Sequence, residues 1–296
     1  MATVTAPSAT TSPPAPQGAQ IGRSASQASR SAFAALLLRD LSVLKKNLGE
    51  FIPRTLIQPF LLVFVFLYVF PKIGQGVGGG RSGGESFFAT ILVAGVVGLS
   101  IMFQGIQSVA LPMVQEFGYT KEIEDRVLAP LPVSLVAVGK VVAGALQGLI
   151  AACVVFPIAA VVHAAGVQPH LTVHWLILVT LIPLACLTTA SLGLTFGTRF
   201  DPRQVPALFA LVILPMTFLG GVYYSWTTLN AVKVGTFPWL QTLVTINPLI
   251  YITEGFRAAL TTAPHMHLYV IYPVLIGFTA LFLRLGIGGF RKRVLS

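Results

Sequence analysis

Charged residues are scarce in this chain. They make up 9% of its 296 residues, while hydrophobic residues make up 55%. A soluble domain carries about 25% charged residues, so the composition excludes a water-soluble fold and makes the bilayer the solvent. Cysteine is almost missing: Cys153 and Cys186 both lie in apolar stretches and offer no disulfide framework. No Gly-x4-Gly-Lys-Ser/Thr sequence occurs anywhere, so the chain has no P-loop of its own. The glycine-rich stretch between Lys72 and Glu85 lacks that ending and reads as a flexible linker. The histidines His170 and His174, and His265 and His267, have no convincing third ligand, so no metal site is expected. No nucleophile and base stand in a catalytic arrangement, which argues against an enzyme. The net charge of +10 suits the positive-inside rule better than a nucleic-acid partner.

Long apolar runs are what the chain does have. A spanning helix needs about 20 mostly apolar residues. Six stretches qualify: Thr55 to Phe70, Phe87 to Val114, Val133 to Ala165, Trp175 to Phe196, Val205 to Tyr224 and Leu268 to Phe290. The fold expected is therefore an all-α polytopic membrane protein with six transmembrane helices. Of the 19 lysines and arginines, only Lys72, Arg81, Lys233 and Arg257 fall on one side of these spans. The others fall on the side of the termini, which places both termini in the cytoplasm of a plasma-membrane protein.

Residues 1–30, rich in Ala, Ser, Thr, Pro and Gln, lack the apolar core of a signal peptide and read as a disordered cytoplasmic tail. Residues 31–50 follow with Phe33, Leu37, Leu41, Leu44 and Leu48 on one helical face and Arg39 and Lys46 on another. This pattern predicts an amphipathic helix at the membrane interface. Residues 51–296 form the six-span domain.

One polar island interrupts the apolar runs. Glu116, Lys121, Glu122, Glu124, Asp125 and Arg126 fall within eleven residues, between the second and third spans. A cluster so polar cannot lie in hydrocarbon, where each charge costs several kcal/mol. The segment 115–132 must protrude into the cytosol. It is acidic where inner connections are ordinarily basic, which suits a surface gripped by a partner.

The region 226–267 is too long for a tight turn and too apolar for a solvated loop. Pro238 and Pro248 are placed to open short helices at their first turn. Short re-entrant outer helices are expected there. Glu254 and Arg257, one turn apart, are expected to pair on one face as a structural feature.

Three stretches together resemble the type-2 ABC exporter permeases, which include bacterial drug, lipid and polysaccharide exporters and the membrane half of the G-subfamily transporters. The first is Ile123-Glu-Asp-Arg-Val-Leu-Ala-Pro130-Leu-Pro132. The second is Gly139-Lys140. The third runs from Phe218-Leu-Gly-Gly-Val-Tyr-Tyr-Ser225 through Trp239-Leu-Gln and Asn247-Pro-Leu-Ile-Tyr to Phe256-Arg257. Lys121-Glu122 departs from the Gly-Thr that many members carry there.

The resemblance implies a short coupling helix that sits in a groove of a separate ATP-binding cassette subunit. Glu116, Lys121, Glu122, Ile123, Glu124, Asp125 and Arg126 would receive the ATP-driven movement. ATP and Mg would belong to that partner, and this chain would hold no cofactor. A second permease copy, as a homodimer or with a similar chain, is implied too. The substrate path would run between the two membrane halves, with Phe103, Gln104 and Gln107 on the second span and Phe209, Met216 and Phe218 on the fifth. The cargo expected is an amphipathic drug, lipid or glycolipid. An ion-coupled secondary transporter is the competing reading, and it would want ionisable residues at mid-membrane.

Overall fold

The structure is a computed structural model that describes residues 25–73, 84–120, 132–162, 170–201 and 204–295. Among these the chain is helical almost throughout, and the one β-bridge closes a turn between Val234 and Phe237. Helix α1 is Ala25–Lys46 and α2 is Leu48–Lys72. Helix α3, Gly84–Gln115, runs into a wide π turn at Glu116–Thr120. Helices α4 and α5 are Val133–Val161 and Trp175–Arg199. The short helix α6 covers 205–218, and α7 is Trp239–Leu243. Helices α8 and α9 are Pro248–Leu260 and Leu268–Leu295.

Among the described residues five helices, α2, α3, α4, α5 and α9, are long and apolar enough to cross a membrane. The sixth expected span is shorter than its hydropathy suggested. Helix α6 is built of pieces of four, five and five residues, with Pro206 and Pro215 at the starts of the first and last and a π segment between them. Together they cover about 21 Å at about 1.5 Å per residue, about two thirds of a hydrocarbon core about 30 Å thick. The helix stops at Phe218 because Gly221 turns the chain with φ of 67°. A side chain there would also strike Ile250. The first span begins earlier than expected: α2 starts at Leu48, directly after the break at Asn47, and carries Pro53 and Pro59 within it.

Helix α3 is the axis of the molecule. It packs against α2, α4, α5 and α8, and 78% of its apolar window is buried. Its contact with α5 is close because small residues allow it. A Cβ on Gly193 would lie 2.6 Å from the Ile106 carbonyl oxygen, and one on Gly105 would overlap Thr189. Helix α9 packs on α5 through polar rungs. Thr188 and Thr279 share a hydrogen bond of 2.7 Å, and the Thr195 hydroxyl donates to the Phe282 carbonyl at 2.9 Å. Hydroxyls can bridge helices in this way without leaving an unsatisfied group in lipid.

Helix α1 lies across the amino-terminal half of α4, where the Phe33 ring covers Gly139. Leu44 is buried, Phe33, Leu37 and Leu41 are half-buried, and Arg39, Lys45 and Lys46 are exposed. The apolar stripe faces the bundle and the basic residues face away.

Candidate functional site

The end of α3 carries the first functional geometry. The wide turn Glu116–Thr120 brings the Glu116 carboxylate against α4, where Lys140 Nζ donates to Glu116 Oε1 at 2.5 Å. Both side chains are buried. One residue on, Phe117 meets the Phe290 ring edge-on at 5.7 Å, and the Arg293 guanidinium lies 5.3 Å from the Phe117 ring centre. Arg293 also donates to the carbonyls of Phe200, at 2.6 Å, and Gly197. The exit of α3 is thereby tied to α4, α5 and α9 at once. Glu116 is thus bound within the chain, and its partner Lys140 was not visible from the charge pattern of the island. Lys121, Glu122, Ile123, Glu124, Asp125 and Arg126 lie outside the described residues.

The opposite end of the bundle carries the second. Glu254 and Arg257 of α8 are wholly buried and bonded at 2.7 Å through Arg257 Nη1 and Glu254 Oε1. Burial works against the guanidinium charge, lowering its pKa, and Glu254 beside it opposes that shift. The pair does more than neutralise itself. Glu254 Oε1 accepts from the Trp226 backbone N–H at 2.7 Å, and Oε2 accepts from the Met266 N–H at 2.8 Å. Arg257 Nη2 donates to the Gly221 carbonyl. One ion pair therefore pins three stretches: the turn after α6, the 3-10 segment Trp226–Ala231, and the approach to α9. Helix α8 is placed to do this by Asn247, whose side chain accepts from the Leu249 N–H and donates to the Met216 carbonyl at 2.7 Å. Pro248 stands at the first helical position, where its missing N–H is harmless. Pro238, by contrast, stands one residue before α7.

The third geometry is a cleft between α2 and α3. Gln104 and Gln107 face it together, and Thr55 Oγ1 reaches Gln104 Oε1 at 3.1 Å. Phe103 lines the same cleft. Phe209, Met216 and Phe218 are elsewhere on α6: Phe218 is exposed and packs on Tyr223, and the Met216 carbonyl is held by Asn247. Phe103, Gln104 and Gln107 thus line this cleft, while the α6 residues are not in its lining. The cleft becomes visible in sequence only when Thr55 and Gln58 of α2 are read together with Ser100, Gln104 and Gln107 of α3.

Comparison with known proteins agrees with this architecture. Residues 31–261 match the family model described as ABC-2 type transporter. The chain is 28% identical over 196 residues to the inner membrane transport permease YadH of Escherichia coli (strain K12), covering 64% of this chain and 70% of the relative. Proteins of the same name from Escherichia coli O157:H7 and Shigella flexneri match to the same extent. The match takes in α2 to α5 and the ion-paired helix α8, so this chain belongs to the ABC-2 type transporter family as the multi-pass helical membrane subunit of an ABC transporter.

Proposed function

We propose that this chain is the permease of an ATP-driven exporter in the cell membrane. In this reading both termini are cytoplasmic, two permease copies form the pathway, and a separate ATP-binding cassette subunit supplies ATP, Mg and the power stroke. The cargo is an amphipathic compound, a drug, lipid or glycolipid, moved from the cytosol or inner leaflet outward. The relatives' description as inner membrane transport permeases supports the location and the transport role.

The observation that carries the reading is the anchored exit of α3. A push on the 121–131 connection is transmitted only if that connection is fixed to the spans. Glu116 is fixed to α4 by Lys140, and Phe117 to α9 by Phe290 and Arg293. Removing one partner of a buried ion pair costs about 3–5 kcal/mol, so the Glu116–Lys140 bond couples α3 to α4, and the Phe117 contacts add α9. A loop that only satisfied topology would need no such anchorage.

The test is co-expression with a candidate ATP-binding subunit, followed by co-purification and ATP hydrolysis in the presence of cargo. Stable association and cargo-stimulated hydrolysis are expected. The double variant Glu122→Lys/Glu124→Lys is expected to insert normally and lose stimulation by about tenfold or more. Transport that persists when the partner's ATP site is inactivated would overturn the reading.

A further inference from the structure

An open cavity of about 290 Å³ is bordered by α1, the start of α2, the second half of α3 and one residue of α4. Its lining is unusual for a membrane protein. The carboxamides of Gln104, Gln107 and Gln115 on α3, of Gln147 on α4 and of Asn47 at the break between α1 and α2 all line it. Asp40 and Glu50 stand at its margin, and no lysine or arginine is among the described residues that line it. It continues upward. Gln104 and Gln107 also line a smaller pocket of about 40 Å³ between α2 and α3, with Thr55, Gln58 and Ser100. Ser100, Gln104, Gln107, Ser108 and Gln115 recur at helical spacing, so they make one polar stripe on α3. Polar side chains within a span are costly unless they face a partner or a cavity, and here they face a cavity.

We propose that this cavity binds the head group of an uncharged polyol amphiphile, and that the α2–α3 cleft is the first step of its path within a single protomer. Size comes first. Sites for whole drug-sized ligands occupy about 300–1,000 Å³, so this one suits a head group whose tail remains in lipid. The smaller pocket has room for about one water-sized group, so it can widen only if α2 moves from α3. Chemistry comes second. A carboxamide both donates and accepts, as a hydroxyl does. Carboxamides from α3, α4 and the α1–α2 break therefore match a head group rich in hydroxyls. Among the described residues of the lining a phosphate or sulfate would find the carboxylates of Asp40 and Glu50 and no cation, which disfavours it by charge. Orientation comes third. Val43 and Phe51 line the cavity beside the carboxamides, and Val43 is half exposed, so the apolar tail leaves along α1. The role as a cargo site rests on the exporter reading above, while binding itself does not.

The experiment uses the full chain in native membranes and a dodecyl maltoside carrying a photoactivatable diazirine on its sugar. Cross-links are mapped by mass spectrometry. The expected result is labelling confined to 40–51, 100–115 and the neighbourhood of Gln147. Unlabelled dodecyl maltoside competes and dodecyl phosphate does not. The double variant Gln107→Leu/Gln147→Leu removes two hydrogen-bonding groups and is expected to weaken labelling about tenfold. If that variant does not accumulate, Gln107→Asn, which keeps the amide at shorter reach, is expected to lose a few-fold. Labelling spread equally over the exposed face of α9, unchanged by these variants, or equally suppressed by dodecyl phosphate would overturn the proposal. ATP hydrolysis is not part of the readout, so failure of the exporter reading would leave this result standing.

Discussion

Glu254 has a carboxylate with more to do than balance a charge. It holds Arg257, the Trp226 N–H and the Met266 N–H together in a site closed to solvent. Replacing Arg257 with Met leaves the carboxylate buried and uncompensated, which costs about 3–5 kcal/mol. Adding Glu254→Met removes that charge, and in many buried pairs such a double change restores stability. Here it leaves two backbone donors without an acceptor, at about 1–3 kcal/mol each. The double variant is therefore expected to remain clearly destabilised. Thermal unfolding in detergent, followed by size-exclusion chromatography, reads this, and a double variant as stable as the parent would show the backbone contacts to be unimportant. The i, i+3 spacing made the ion pair itself legible in the sequence. Its backbone partners were not legible, because Trp226 and Met266 lie 28 and 12 residues away along the chain. Lys140 and Glu116 escaped for the same reason, being 24 residues apart across a connection.

Helices meet here by what their surfaces omit. The α3–α5 contact depends on Gly193, where a Cβ would lie 2.6 Å from a backbone oxygen that cannot rotate away. Gly193→Ala must therefore separate the helices, and overpacking of this kind costs about 1–3 kcal/mol. Gly277, on the outward face of α9, meets nothing within 4 Å. Gly277→Ala removes a poor helix former, worth about 1 kcal/mol, and introduces no clash. A lower unfolding temperature for the first variant and an unchanged or higher one for the second are expected. Equal effects would deny the special role of the α3–α5 contact. The apolar runs made α3, α4, α5 and α9 legible to within a few residues. At α6 the helix ends at Phe218, six residues before the expected Tyr224, because hydropathy counts apolar residues and does not register the glycine turn at Gly221. The cleft between α2 and α3 was half legible: Gln104 and Gln107 stood out as polar, but which neighbour they faced depended on packing.

At the scale of the whole molecule, the exposed surface is uneven in kind. Helix α9 leaves most of its apolar window uncovered, only 17% being buried, but it is a continuous helix and can face lipid directly. Helix α6 is different. Leu211 and Leu214 are 73% and 60% exposed, on a helix that runs only from 205 to 218 before the chain turns at Gly221. Lipid offers no hydrogen bonds to irregular backbone, which is tolerated at membrane depth only against protein or in a water-filled space. The described residues leave this α6 face largely uncovered, and a second permease copy, part of the proposed function, would cover it. The prediction uses a Cys153→Ala background, since Cys153 is exposed and Cys186 is buried. Leu211→Cys is expected to form a disulfide-linked dimer in native membranes under mild oxidation. Ile276→Cys, on the lipid-facing side of α9 and also exposed, is expected to remain monomeric. Equal cross-linking at both positions would mean random collision in the membrane. Cross-linking at Ile276 alone would move the interface to α9 and leave α6 to be covered by another chain.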